Sequence, residues 1–321
     1  MQKRKLEIVV PVFNESLTID EFYRRFSLAI NGIDESEWNM TLILVNDGSK
    51  DTTYEKIQYL TRSKNNFEVK VLSLSRNFGH QQAVWAGIEH ASQDSCVMVM
   101  DSDLQDPPEM LGEFICALEK FDVVMAQRIS RSDSVSKKLF ASIFYGILEN
   151  LSGGVVKSNV GDFWALSERA KNSLLKYGEE LKFLRGLVSD LGYEVKILEY
   201  DRDARFAGKT HYSVFKMIQL AIAGVTGFTI KPLIYTVYVA IAMSSLLFPA
   251  ALFLIWSRLY GDSVVSPGLT FVGVVLIIAI SLQFIVMSVI ALYVARIAIE
   301  VKKRPQYILD EMYQIPRGGS Q

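Results

Sequence analysis

A chain of 321 residues can hold one large domain or two units, and 34 Lys plus Arg against 35 Asp plus Glu leave a net charge of −1. That balance, with no zinc-finger or RRM-type signature, argues against a general nucleic-acid binder. The two cysteines, Cys96 and Cys116, sit in apolar and helical surroundings, so they read as core residues of a reducing compartment rather than a disulfide framework. The basic start at residues 1–5 runs straight into a strand pattern and lacks the apolar stretch of a secretory signal.

In chain order, residues 6–10 form a continuous Val/Ile-rich run, as expected of a parallel strand covered on both faces. Pro11 to Glu15 turns the chain, and Ser16 or Thr18 is placed to cap a helix reaching about residue 31. A second strand at 41–45 ends in Asn46-Asp47-Gly48-Ser49-Lys50-Asp51, a tight turn into a helix over 54–61. Strands follow at 69–74, 96–100 and 123–126, with helices at 81–91 and 109–120 between them. This alternation predicts an α/β fold with a doubly wound, mostly parallel sheet. Polar clusters recur where strands end: Asn14/Glu15, Asp47/Asp51, Arg76/Asn77 and Asp101/Asp103. In such sheets those ends meet in one crevice. No Gly-x-Gly-x-x-Gly follows the first strand and no P-loop is present, which disfavours a dinucleotide oxidoreductase and a P-loop ATPase.

Asp101-Ser102-Asp103 carries the sharpest chemistry. Two carboxylates one residue apart at a strand's carboxyl end suit a hard divalent cation, which takes oxygen ligands and leaves positions for substrate phosphates. A plain strand-end turn is the competing reading, with Asp106 and Glu109 organising the helix start at Pro107-Pro108 by capping and the helix dipole.

The second half changes character. Residues 134–151 and 212–228 show apolar spacing suited either to a packed helix or to one lying on a membrane surface. Residues 233–256 and 269–295 contain no charge, and each exceeds the ~20 residues a helix needs to cross a bilayer. Basic residues flank the pair outside, at Lys209, Lys216, Lys231, Arg296, Lys302, Lys303 and Arg304, while the connection offers only Arg258. The positive-inside rule then places both termini and the large domain in the cytoplasm. The expected layout is a domain at 1–211, a juxtamembrane helix at 212–231, two spans within 232–296 (about 232–256 and 268–295), and a polar tail at 297–321 returning along the membrane surface.

Four ordered motifs, Val10-Pro11-Val12-Phe13-Asn14-Glu15, Asn46-Asp47-Gly48-Ser49-Lys50-Asp51-Thr52, Ser75-Arg76-Asn77-Phe78-Gly79 and Asp101-Ser102-Asp103-Leu104-Gln105-Asp106-Pro107, closely resemble the family 2 glycosyltransferases. Arg128-x-x-Arg131, Gly161-Asp162-Phe163 and Arg205-x-x-Gly208-x-Thr210-x-Tyr212 extend the likeness to the polyprenyl-phosphate branch, which resembles dolichol-phosphate mannose synthase. With two terminal spans the chain is most similar to the bactoprenol glucosyltransferases of O-antigen modification.

The resemblance implies a nucleotide-sugar-binding GT-A domain in the inner membrane of a bacterium. It implies transfer of glucose from UDP-glucose to undecaprenyl phosphate, with GlcNAc, galactose or mannose as alternative sugars and a sugar-lipid translocation component as a competing class. It also implies Mg2+ or Mn2+ and a homo-oligomer such as a tetramer. By motif, Pro11, Asn14, Glu15, Asp47, Arg76, Gly79 and Asp101 would hold the donor. Asp101, Asp103 and Gln105 would hold the metal, and Arg128, Arg131, Arg205 and Tyr212 would meet the acceptor phosphate. Asp103, Asp162 and Arg205 would be catalytic, with Asp162 a base or an orienting carboxylate. Relatives often have Lys where this chain has His211, which leaves open the phosphate contact of the 208–212 loop. Lys182 and Arg185 fit either the lipid headgroup region or a solvated ion-paired face.

Overall fold

The computed structural model describes residues 3–34, 36–62, 65–128, 160–180, 182–201, 231–260 and 265–318. Its frame is one eight-stranded sheet in the order β7-β5-β6-β4-β1-β2-β3-β8. The central strands are β1 (Arg4–Val12), β2 (Trp38–Asn46), β3 (Glu68–Leu74) and β4 (Ser95–Val99), all mutually parallel where they pair. Strands β5 (Val123–Arg128) and β7 (Val195–Tyr200) form a second parallel pair. Strand β6 (Val160–Leu166) is antiparallel to both β4 and β5 and joins the two pairs into one sheet.

Period-two alternation explains why the sheet is covered on both faces. Leu6, Ile8, Val10 and Val12 of β1 face one core, built with α1 (Ile19–Ile30), α2 (Thr53–Thr61) and α4 (Leu111–Leu118). In α1 the buried Ile19, Phe22, Tyr23, Phe26 and Ile30 follow helical spacing, so one apolar stripe meets the sheet. Val9 points the other way, into a second core with α3 (His80–Glu89), α5 (Glu168–Leu174) and α6 (Leu184–Asp190). Helix α3 lies so close to β1 that a Cβ on Gly87 would stand 2.3 Å from Val9 Cγ1.

Three strands lie beyond the sequence reading: β6, inside the sheet, and β7 and β8, its two edges. In β8 (Leu309–Ile315) the polar tail becomes a strand antiparallel to β3 and covers its outer side. The helix expected at 109–120 begins later, at Leu111, after a single 3₁₀ turn at Pro108–Met110.

Beyond β7 come two long helices, α7 (Lys231–Tyr260) and α8 (Val265–Lys302). Among the described residues one stretch, Ile278–Lys302, has the length and hydropathy to cross a membrane, and the apolar part of α7, Leu233–Met243, is shorter. The expected amphipathic helices at 134–151 and 212–228 lie outside the described residues.

Candidate active site

The carboxyl ends of β1, β2, β3 and β4 do converge, and their loops are laced together by backbone bonds. Asn14, at φ 54°, takes its backbone into the left-handed region that short polar side chains tolerate. Its Oδ1 accepts the Lys50 N–H at 2.8 Å, and its own N–H donates to Ser49 Oγ at 3.1 Å. Glu15 is held by Thr18, whose hydroxyl donates to Glu15 Oε2 at 2.6 Å instead of capping α1. Asp47 bridges to the next loop: its two oxygens accept the N–H groups of Phe78 at 2.7 Å and Gly79 at 2.9 Å. Gly48 makes this possible, because at φ 64° a Cβ there would lie 2.4 Å from the Arg76 carbonyl carbon.

These loops enclose a cavity of about 380 Å³ lined by Pro11, Glu15, Asp47, Gly79, His80, Asp101 and Asp103, among others. Ser102, between the two carboxylates, is buried and donates to the Pro11 carbonyl at 3.3 Å. Asp103 Oδ1 accepts the Gln105 N–H at 3.1 Å, and Leu104 between them is buried with φ 63°. Positive φ in a non-glycine residue is a strained conformation, held here by the buried leucine side chain beside the carboxylate pair.

Asp106 does not cap the following helix. It is buried, and its carboxylate accepts the Asp101 N–H at 3.2 Å and the Tyr200 hydroxyl at 3.0 Å. The 3₁₀ turn instead starts from Pro107 without a side-chain cap, since Asp106 is turned inward by these two donors. Burial, then the Asp101 charge, pushes the Asp106 carboxyl well above the usual carboxylate range. Glu109 forms a two-pronged pair with Arg25 of α1, at 2.8 and 2.7 Å.

Asp162, on β6, lies behind His80 rather than on the cavity wall. Arg185 at the start of α6 grips it, Nη2 to Oδ2 at 3.1 Å and Nε to Oδ1 at 3.3 Å. Gln81 Nε2 donates to Oδ2 at 3.3 Å. His80 Nε2 stands 3.6 Å from Asp162 Oδ2 and 3.7 Å from Asp101 Oδ1, so it links the strand-end carboxylate to the one on β6. Burial opposes the charge on Asp162, but Arg185 and His80 outweigh it and hold the carboxyl far below its ordinary range. The His80 side chain keeps 39% of its surface; desolvation by the groups packed around it opposes its charge, and Asp101 and Asp162 overcome this to lift its pKa to about 9.

The structure thus brings Pro11, Glu15, Asp47, Gly79, Asp101 and Asp103 onto one cavity, while Asn14, Arg76, Gln105 and Arg128 are not among its lining residues. Arg76 lies 4.0 Å over the Phe78 ring, and Arg128 Nε donates to Tyr200 at 3.3 Å. Arg131, Arg205 and Tyr212 lie outside the described residues, as does His211. Lys182 is buried over the Trp85 ring at 3.7 Å rather than solvated. The roles of His80, Gln81 and Tyr200 escaped the sequence. His80 and Gln81 directly follow the Arg76-to-Gly79 motif, but only the fold shows which carboxylates they reach.

Two carboxylates on the cavity fit a divalent cation. Among the described residues no group of three His, Cys, Asp or Glu converges as a closed protein site. An open two-carboxylate site is the arrangement a hard cation uses when substrate phosphates complete its shell.

The glycosyl transferase family 2 model matches residues 7–174. An uncharacterized glycosyltransferase of Bacillus subtilis (strain 168) is 36% identical over 96% of this chain and 94% of its own length. A prophage bactoprenol glucosyl transferase homolog of Escherichia coli (strain K12) is 34% identical over 95% of this chain and 98% of its own. Among solved structures, glucosyl-3-phosphoglycerate synthase from Mycobacterium tuberculosis, in complex with Mn2+, UDP and glucosyl-3-phosphoglycerate, aligns with a TM-score of 0.49 at 17% identity, over 70% of this chain and 78% of that one.

Proposed function

The chain belongs to glycosyl transferase family 2, and on that premise we propose that it is a membrane-bound enzyme moving glucose from UDP-glucose to a polyprenyl phosphate with inversion. The observation that carries this reading is the reach of the similarity. The family model ends at residue 174, whereas the bactoprenol glucosyl transferase homolog matches over 95% of the chain. That extent takes in the long apolar helices α7 and α8, which a soluble acceptor would not require. In this reading both helices span the membrane, with the catalytic domain on the cytoplasmic side, and the product feeds envelope or O-antigen glycan modification.

Asp47, Glu15 and Pro11 form the end of the cavity proposed for the nucleoside, and Asp101 and Asp103 the end proposed for its diphosphate and a Mg2+ or Mn2+ ion. When bound there, the ion supplies Lewis-acid stabilisation of the departing diphosphate. His80 stands 3.7 Å from Asp101 Oδ1 and 3.6 Å from Asp162 Oδ2, and in the metal-free site these carboxylates favour its protonated form. It thus offers a hydrogen-bond donor beside Asp101, where preorganised charge is most effective.

The acceptor oxygen attacks the anomeric carbon as that carbon's bond to the UDP oxygen breaks, giving UDP and a β-linked sugar phosphate lipid. A phosphate monoester with a second ionisation near ~6 is already anionic at neutral pH, so no proton has to be removed. Asp162 suits this chemistry as an orienting carboxylate. Its depressed pKa makes it a poor base, while its contacts fix Arg185, His80 and Gln81. Arg128, Arg131, Arg205 and Tyr212 remain the proposed acceptor-phosphate contacts.

A donor panel tests the sugar assignment: UDP-glucose, UDP-GlcNAc, UDP-galactose and GDP-mannose, each labelled and offered with polyprenyl phosphate and Mg2+ or Mn2+. The reading expects label in the lipid phase from UDP-glucose above the others. Preference for another donor would replace glucose but keep the reaction.

A further inference from the structure

The far end of α8 is wired to the candidate acceptor side of the site. After backbone turn bonds at Lys176 and Tyr177, the described residues 178–180 and 182–183 between α5 and α6 lie outside helix and strand, and side chains reach them. Glu300, in the last turn of α8, accepts the Glu180 N–H on Oε2 at 2.8 Å. Gln306, just beyond the helix, donates from Nε2 to the Glu179 carbonyl at 3.0 Å. Lys182 donates to the Tyr177 carbonyl at 2.8 Å and lies on Trp85 of α3. The Leu184 N–H donates to Gln81 Oε1 at 3.0 Å.

Gln81 therefore uses both ends of its amide: the oxygen holds Leu184 and the nitrogen holds Asp162. The residue after Leu184 is Arg185, the other grip on Asp162. A shift of this crossing moves the Leu184 amide, and with it both groups that orient the carboxylate. The tail adds a second anchor on the same helix that carries Gln81, since Tyr307 donates to Glu89 Oε2 at 2.6 Å at the far end of α3.

We infer that Glu300 and Gln306 are positioning residues, which transmit the placement of the α8 terminus to Asp162 through Glu179, Glu180, Leu184 and Gln81. The inference rests on the lipid-acceptor reading above. Its consequence is that the acceptor side of the site is set by the apolar helix, while the donor side is set by the strand-end loops. One acceptor oxygen at position 300 is sufficient for the contact, so the amide oxygen of glutamine can replace it and alanine cannot.

The test uses the full-length chain in detergent or nanodiscs, as wild type, Glu300→Ala, Glu300→Gln and Gln306→Ala. Hydrogen exchange reads the wiring without turnover. Losing one tethering bond should speed exchange at the Glu180 and Leu184 amides by about tenfold in Glu300→Ala. Steady-state transfer reads the consequence: kcat/KM for polyprenyl phosphate should fall about tenfold in Glu300→Ala with KM for the UDP-sugar unchanged. Glu300→Gln should restore both readings. Unchanged exchange at Leu184 would overturn the wiring, even if the wild-type chain made no lipid product. Faster exchange with unchanged acceptor kinetics would overturn the positioning role, and so would an equal loss of donor and acceptor affinity, which marks a merely structural contact.

Discussion

Arg185 holds Asp162 with two of its nitrogens, at 3.1 and 3.3 Å, across the gap between α6 and β6. The carboxylate is largely withdrawn from water, and its other neighbours, His80 and Gln81, belong to α3. Three elements thus meet at one side chain.

Removing Arg185 leaves that carboxylate without its main counter-charge. Breaking a buried pair costs about 3–5 kcal/mol, and partial exposure of both partners here should bring the loss to about 1–3 kcal/mol. Arg185→Ala should therefore lower the thermal midpoint and reduce turnover. Asp162→Asn keeps the shape and should reduce turnover with a smaller loss of stability. Near-normal turnover in Asp162→Asn would remove its catalytic assignment.

His80 gives a pH signature. Its folded pKa of about 9 lies above the ~6.5 of an unfolded histidine. A raised pKa stabilises the fold fully below the unfolded value, and that contribution is lost as pH climbs through the folded one. In chelator, the thermal midpoint of the wild type should fall between pH ~6.5 and ~9 relative to His80→Gln. Parallel curves for the two proteins would contradict the assignment of His80 to Asp101 and Asp162.

Asp47 tests the lacing of the donor loops. Asparagine has one acceptor oxygen where Asp47 uses two, so Asp47→Asn sets an amide N–H2 against the N–H of Phe78 or Gly79. An unmet buried backbone donor costs about 1–3 kcal/mol, and the half-buried setting of Phe78 and Gly79 places this loss at the lower end, about 1 kcal/mol. The variant should show that loss in denaturant titration together with weaker UDP binding by calorimetry. Stability equal to wild type would show that the two bonds are dispensable.

Much of this arrangement was legible from the chain. The four parallel strands declared themselves as Val/Ile-rich runs, and at least one polar residue after each lines the shared cavity, while Asn14, Asp51 and Arg76 do not. What escaped was whatever depends on pairing at long range. Nothing local to residues 160–166 says that they run antiparallel between β4 and β5. In β8, the inward Tyr313 and Ile315 give only two alternating positions among acidic and amide neighbours, a weak strand signal. Asp106 looked like a cap because it precedes two prolines, yet its partner Tyr200 lies 94 residues away. The His80–Asp162–Arg185 cluster likewise joins elements that no motif spans.

The β8 edge gives a further prediction. Strand β3 pairs with β8 from Val69↔Ile315 to Leu74↔Leu309. A chain ending at residue 308 would leave those β3 groups unpaired and open an edge to other chains. Size-exclusion chromatography should show association of the truncated protein, with a lower thermal midpoint. A monodisperse profile with an unchanged midpoint would mean that the tail adds nothing to the sheet.

The metal assignment predicts that Asp103→Asn and chelation act alike. Each should reduce sugar transfer by about a hundredfold or more, the scale of losing a main electrostatic stabiliser of the leaving group. Activity that survives both would remove Asp103 from the metal site.

The most direct measurement is transfer itself. Purified chain, labelled UDP-glucose, Mg2+ or Mn2+ and a short polyprenyl phosphate are incubated, the organic phase is counted, and the anomeric configuration of the lipid product is read by NMR. The account predicts metal-dependent label in a β-linked glucosyl phosphate lipid, lost in Asp103→Asn. UDP-glucose that binds but yields no labelled lipid, or a product that retains the donor's α configuration, would contradict it.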